Sequence, residues 1–341
     1  MIAFKEHIPS FASLLQRVEQ AVVSNDAYPQ SYFKELMQHR MYYLNIYAFT
    51  LQKLFEAINK PATEVVLLDF GCGNGLLALF AKHCGVKEVH ASDVNGSFVL
   101  AAQQLSKLIS IEIDGWVIGD ENTLSKHFAA KQLDAVIGTD VIEHVYDIGA
   151  MALVFKNLNG KIALTFTTAS VAENPFKSNA LKKLQLRDEL EYSNALHSGG
   201  EYSGRAFLDV RGYLIAERFP QLDHKEVGAL ARDTRGLKKD DIYKAVEKYI
   251  NENSKPEPPI HPTNTCDPIT GSWTERLLTK DEYLWMFRTH GFRLKFYNGF
   301  YNEWQNGIKC AASKMLNLVI EHSGKLGEKI SPFELLIVTP G

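Results

Sequence analysis

The run Val65-Val66-Leu67-Leu68-Asp69-Phe70-Gly71-Cys72-Gly73-Asn74-Gly75 constrains this chain more than any other segment. Four apolar residues predict a buried strand. An aspartate stands near the strand's end, and three glycines follow at alternate positions. Leu76 to Ala81 has helix-forming composition. Strand, glycine-rich turn and helix make the front half of a nucleotide-binding βαβ unit. Glycine is needed there because backbone must approach a ligand closely and some positions require positive φ.

The spacing selects among ligands. A dinucleotide fingerprint, G-x-G-x-x-G, uses its last glycine to let a helix N-terminus face a pyrophosphate. Here the third glycine, Gly75, comes one residue early, and Leu76 fills the reserved slot. Asp69, just before the turn, would repel a diphosphate and attract an ammonium. Both features favour an amino-acid-bearing nucleoside over a nicotinamide dinucleotide. The D-x-G-x-G-x-G pattern resembles the first motif of the class I S-adenosylmethionine-dependent methyltransferases. That resemblance implies S-adenosyl-L-methionine as cofactor and S-adenosyl-L-homocysteine as product. It assigns cofactor binding to Asp69, Gly71, Cys72 and Gly73, with Cys72 a small turn residue and not a nucleophile.

Later segments fall into step. Apolar strands are expected at 65–69, 88–93, 111–118, 133–139 and 161–167, separated by helices at about 76–84, 97–108, 121–130 and 142–158. Such alternation predicts an α/β fold with a mostly parallel sheet and right-handed crossovers. After residue 167 it breaks. Residues 171–278 hold helical segments at about 178–197, 203–219 and 239–250 and a proline-rich loop. A helix at 279–289, a strand at 293–300, a helix at 309–322 and a strand at 334–338 follow. The resemblance implies that these complete a seven-stranded Rossmann-like sheet with helices on both faces. The expected division is a helical extension (1–60), a cofactor-binding half (61–170), a helical insertion capping the substrate (171–278) and the C-terminal half of the sheet (279–341). The extension shows helical patterns over 11–23 and 32–58 and is rich in tyrosine. It packs on the sheet or forms a lid, since tyrosine offers an apolar face and a hydroxyl.

The resemblance also assigns site residues. Asp93, 20 residues after Gly73, would accept hydrogen bonds from a ribose diol, and Val94 would lie against the adenine. Asp120, with Glu121 as its rival, would accept from the adenine amino group. Thr139 and Asp140 close the fourth strand at the cofactor. The segment from Asp140 to Val145 is similar to D/E-x-x-E-H-V, found in many small-molecule members. If a helix opens here, Glu143 and His144 share a face with Asp140. Methyl transfer from a sulfonium needs alignment, exclusion of water and, for a hydroxyl or amine acceptor, proton removal. His144 is then the candidate base and Glu143 its orienter, although both residues could instead brace the turn. Some members with this segment bind a divalent cation. Here no further ligand is evident beyond the lone histidines His197, His224 and His261, so no metal is expected.

Composition narrows the partners. A formal charge of −3 over 341 residues gives no reason to expect a nucleic acid. The Asn/Asp-Pro-Pro-aromatic tetrapeptide of base methylation is absent after strand four. No apolar stretch would cross a bilayer, and the N-terminus lacks a basic and apolar leader. Four scattered cysteines read as reduced thiols. The expectation is a cytoplasmic enzyme that methylates a small molecule, at oxygen of a sugar-like or natural-product acceptor. A nucleic-acid or protein methyltransferase and a non-catalytic cofactor-binding module are the alternatives. In the insertion, His261–Arg276 could present an Asn/Asp/Trp/Arg platform or simply an Asp-Pro turn with a packed tryptophan. The glycine-rich turn 197–205 ranks lower as a pocket wall.

Overall fold

In the computed structural model, which describes residues 3–192, 202 and 204–341, the strand of the glycine run is buried at every position. Along the chain the elements are α1 (Ile8–Arg17), α2 (Ala27–Gln38), α3 (Arg40–Ile58), β1 (Val66–Phe70), α4 (Leu76–His83), β2 (Glu88–Asp93), α5 (Gly96–Ile109), β3 (Gly115–Ile118), α6 (Glu121–His127) and β4 (Ala135–Thr139). There follow α7 (Ile148–Leu158), β5 (Ala163–Thr168), α8 (Pro175–Leu190), α9 (Phe207–Arg218), α10 (His224–Asp233), α11 (Lys239–Glu252), α12 (Lys280–Thr289), β6 (Phe292–Asn298), α13 (Ile308–His322), α14 (Lys325–Ile330) and β7 (Glu334–Pro340). Among the described residues no helix is long and apolar enough to cross a membrane.

The chain divides into two compact units. The first comprises Met1–Ile142, Ile148–Ala169 and Lys280–Gly341, and the second Glu143–Asp147 and Ser170–Thr279. In the first, seven strands form one sheet in the order β3-β2-β1-β4-β5-β7-β6. β1 to β5 pair in parallel, and β7 runs antiparallel to both of its neighbours. This is the mostly parallel seven-stranded sheet that the sequence predicts. Strand order reverses between β1 and β4, and open α/β sheets bind ligands at the carboxyl ends flanking such a switch.

Several boundaries differ from the periodicity. The pattern over 32–58 is two helices, because Arg40 turns back on the helix end, its Nη1 donating to Met37 O at 3.3 Å. β3 starts only at Gly115, since the Asp114 carboxylate takes Val89 N at 2.8 Å. No α-helix opens at 142. Ile142–His144 is a single 3-10 turn, and α7 begins at Ile148. The carbonyls that would start a helix there are taken: Arg276 N donates to Glu143 O at 3.1 Å and Trp273 N to His144 O at 3.2 Å. The shared helical face expected for Asp140, Glu143 and His144 therefore does not exist. α8 starts earlier than expected, N-capped by Asn174, whose Oδ1 accepts from Phe176 N and Lys177 N. His197 and most of the 197–205 turn lie outside the described residues.

The second unit packs its helices around Val210, Leu214, Ile215, Phe219, Leu230, Ile242 and Val246. Beside that core lies a buried ion pair. Arg211 Nη2 bonds Glu189 Oε1, and Arg211 Nε donates to Ala231 O at 2.7 Å. Thr265 Oγ1 donates to Glu189 Oε2 at 2.7 Å. A buried pair adds little net stability, but removing one partner strands the other charge. Arg211→Ala should lower the unfolding free energy by about 3 kcal/mol or more. Arg211→Met with Glu189→Leu should cost clearly less. Denaturant midpoints of the three chains check this; equal losses in single and double variants would refute it.

Candidate functional site

Two carboxylates and three glycines shape the turn after β1. Asp69 is fully buried and its Oδ2 accepts from Ala78 N at 3.0 Å, across the turn and into α4. Burial outweighs that bond, and the nearby charge of Asp93 adds to it, so the Asp69 carboxyl is pushed up to about 8. Gly71, Gly73 and Gly75 have φ of 70°, 49° and 75°, in the left-handed region. Side chains are also excluded by space: a Cβ on Gly71 would lie 2.3 Å from Val141 Cγ2, and one on Gly75 2.8 Å from Ala102 Cβ.

The turn is tied to β2. Cys72 N donates to Ser92 O at 2.8 Å, and Gly73 N to Asp93 Oδ2 at 3.0 Å. Asn95 N donates to Asp93 Oδ1 at 2.9 Å, which fixes that carboxylate from both sides. Cys72 is buried, which raises its thiol far above the ordinary range and suits a turn residue. Val94, just past Asp93, is 66% exposed, and Ile118, the register partner of Asp93 on β3, is 55% exposed. Exposed apolar side chains at adjacent strand ends suit the flat face of a purine. Sequence reasoning missed Ile118, although an isoleucine ending a strand before Gly119 was the available signal. Asp120 N-caps α6, its Oδ1 accepting from Thr123 N at 2.9 Å, and Glu121 is the first residue of that helix.

At the end of β4, Thr139 is half-buried and Asp140 adopts φ of 52°. Asp140 is held by its N–H to Thr167 O at 3.0 Å and by Ala169 N donating to its Oδ1 at 3.2 Å. Tyrosines of α2 and α3 surround this region. Tyr32 reaches the glycine turn, its ring 3.3 Å from where a Gly73 Cβ would stand. Asn74 Nδ2 donates to Pro29 O at 2.9 Å, so α2 is bonded to the turn directly. Burial, with the charge of Asp140 among the smaller causes, raises the hydroxyls of Tyr32, Tyr42, Tyr43 and Tyr47, that of Tyr43 to about 12. They remain protonated donors at neutral pH, so none is a base there.

In the second unit, His144 is set by a strap, residues 272–276. His144 Nδ1 lies 2.8 Å from Trp273 O; a carbonyl only accepts, so Nδ1 carries the hydrogen and the neutral ring presents a lone pair at Nε2. The carboxylate beside Nε2 is that of Glu275, whose Oε1 stands 3.8 Å away. Glu143 is fully buried. Trp273 is packed, not presented as a platform: Nε1 donates to Tyr146 O at 3.1 Å, and the ring stacks on Tyr146. Asp267 closes an Asx turn, its Oδ1 accepting from Ile269 N at 2.7 Å. Glu275 had no sequence signal, since 131 residues separate it from His144.

The raised Asp69 carboxyl gives a signed prediction. Between about pH 4 and pH 8 the folded chain holds a proton that the unfolded chain has released. Stability from this group is complete below about pH 4 and is lost as pH rises towards 8, by up to about 1.4 kcal/mol per unit. Asp69→Asn should flatten that slope. Urea midpoints of both chains at about pH 5 and about pH 7.5 test it; parallel slopes would refute it.

Residues 48–164 match the family model described as ribosomal protein L11 methyltransferase (PrmA). The ribosomal protein L11 methyltransferase of Hydrogenovibrio crunogenus is 32% identical over 77 residues, 23% of this chain and 24% of that one. The Acinetobacter baumannii (strain AYE) protein of the same name is 31% identical over 74 residues, 22% and 24%. The chain thus spans about a quarter of the length of the curated relatives it matches. Among solved structures, magnesium protoporphyrin IX methyltransferase (ChlM) from Synechocystis PCC 6803 with bound SAH is 12% identical, covering 89% of this chain and 85% of that one, with a TM-score of 0.38. The plantazolicin methyltransferase BpumL with a desmethyl analogue and SAH is 11% identical, covering 99% and 97%, with a TM-score of 0.42. Those two likenesses are loose; the sheet order and the matched segment place this chain in the class I S-adenosylmethionine-dependent methyltransferase fold.

Proposed function

We propose that this protein transfers a methyl group from S-adenosyl-L-methionine to a small polar molecule, at oxygen, with His144 as general base. The observation that carries the first half is the turn Gly71–Gly75. Its three glycines have positive φ, and its backbone is tied to Asp93. The residues present suit the cofactor. Asp93 would take the ribose diol, Val94 and Ile118 would flank the adenine, and Asp120 or Glu121 would receive its amino group. The turn, with Thr139 and Asp140 at the end of β4, would hold the amino-acid end, while Asp69, buried and bonded to Ala78 N, braces the turn from beneath instead of meeting the ammonium as its charge alone suggests. Bound, the cofactor supplies a methyl group already activated on a sulfonium. The chain aligns the acceptor and removes its proton. His144, five residues beyond Thr139, offers Nε2 for that proton, while Trp273 O holds Nδ1–H and so selects the tautomer.

A protein acceptor is the second reading, favoured by the family model that matches residues 48–164. That match ends before the second unit's long segment, Ser170–Thr279, which is where an acceptor-specific surface is expected. Tritiated methyl donor incubated with purified ribosomal protein L11 separates the readings: catalytic labelling of L11 would favour the protein substrate.

Titration calorimetry should detect S-adenosyl-L-homocysteine binding and no NAD binding; the reverse would overturn the assignment. Asp93→Ala should weaken S-adenosyl-L-homocysteine by about tenfold or more, through lost ribose bonds and a loosened turn. His144→Ala should leave that affinity within about twofold while abolishing turnover on an identified acceptor. Unchanged turnover would remove His144 from the chemistry.

A further inference from the structure

His144 does not stand alone. The geometry points to Glu275 as the positioning residue of His144, a carboxylate held in place by Ser170 that steadies the imidazolium when Nε2 takes a proton. This rests on the assignment of His144 as base and names the group that tunes it. Glu275 Oε1 lies 3.8 Å from Nε2, on the ring edge opposite the Nδ1 bond to Trp273 O. Its other oxygen, Oε2, accepts from Ser170 Oγ at 2.7 Å, and Ser170 is buried. A carboxylate so anchored presents one oxygen to the ring in a fixed direction.

The backbone under Glu275 is unusual. Its φ is 46°, a left-handed conformation that a side chain with a Cβ rarely adopts. Glycine would sit there more easily, yet the position carries a glutamate. The conformation is held by Gln185 Nε2 donating to Glu275 O at 2.7 Å and by Arg276 N donating to Glu143 O at 3.1 Å. Backbone outliers of this kind cluster at functional sites, and this one carries a carboxylate 3.8 Å from Nε2 of a candidate base. The strap is braced from the far side too, where Arg276 Cζ lies 4.2 Å from the Trp273 ring.

Other charges belong to the segments packed here. Glu143 and Asp147 lie on the turn of His144 itself. Lys238 and Asp241 engage Tyr146, and Asp188 accepts from Thr274 Oγ1 at 3.1 Å. All are contributed by residues other than Glu275, so they stay constant when Glu275 alone is changed.

The test needs no acceptor. The full chain, labelled at histidine, is titrated by NMR and the His144 ring resonances are followed. Glu275→Gln keeps size and the bond to Ser170 while removing the charge. It should move the His144 transition to lower pH by about half a unit or more. Glu275→Asp should restore most of the difference. If the glutamine variant does not fold, Glu275→Gly carries the same test, because glycine suits the left-handed backbone. An unmoved transition in the folded variants overturns the pairing. Absence of S-adenosyl-L-homocysteine binding to the unaltered chain, with the shift intact, would instead overturn the methyltransferase reading and leave the pairing standing.

Discussion

Three backbone N–H groups, of Gly73, Ala78 and Asn95, donate to just two carboxylates, and the candidate cofactor site takes its shape from those bonds. Asp69 ties the end of β1 to the first turn of α4. Asp93 ties the middle of the glycine turn to the start of α5. Between them the chain bends through three left-handed residues, and only glycine passes without steric conflict at Gly71 and Gly75. Remove the carboxylates and the glycines would still permit the bend, but would no longer select it, since glycine is equally free in other conformations.

The titratable groups of the two units differ in protonation. In the first, buried tyrosines keep their protons, and the buried carboxyl of Asp69 holds its own up to about pH 8. The tyrosines therefore do not change charge near neutrality. In the second unit, His144 is half-exposed and its tautomer is set by a carbonyl. A half-exposed imidazole with one nitrogen occupied is a group able to accept and release a proton at the other.

How much of this was legible depended on range. β1, β4 and β5 read directly, because parallel strands buried on both faces are near-continuous apolar runs, whereas β3, at the edge of the sheet and little buried, was placed four residues too early. The glycine turn read directly because its constraint is local. α10 was missed although Asp223 and Glu226 spell a capping box and Val227, Leu230 and Ala231 carry the helical spacing, because the segment is short and mostly polar. The break at His39 was hidden by apolar periodicity that runs through it. The start of α7 was misplaced because the decisive acceptors, the carbonyls of Glu143 and His144, are used by residues 273 and 276. Ile118 carried a faint local signal, and Glu275 none.

That last pair of bonds has consequences beyond a helix boundary. Had Glu143 O and His144 O bonded within the chain's own next turn, a helix would have carried the histidine at a position set by helical geometry alone. Instead the strap supplies the donors, and the same strap supplies Trp273 O to Nδ1 and the Glu275 carboxylate to Nε2. Backbone placement, tautomer and charge environment of His144 thus come from five consecutive residues far along the chain. Changes in that strap can retune the histidine while leaving the sheet and the glycine turn as they are. On the proposed assignment, the residues that set His144 lie in the second unit and the candidate cofactor residues in the first, so acceptor chemistry would be free to vary independently of cofactor binding.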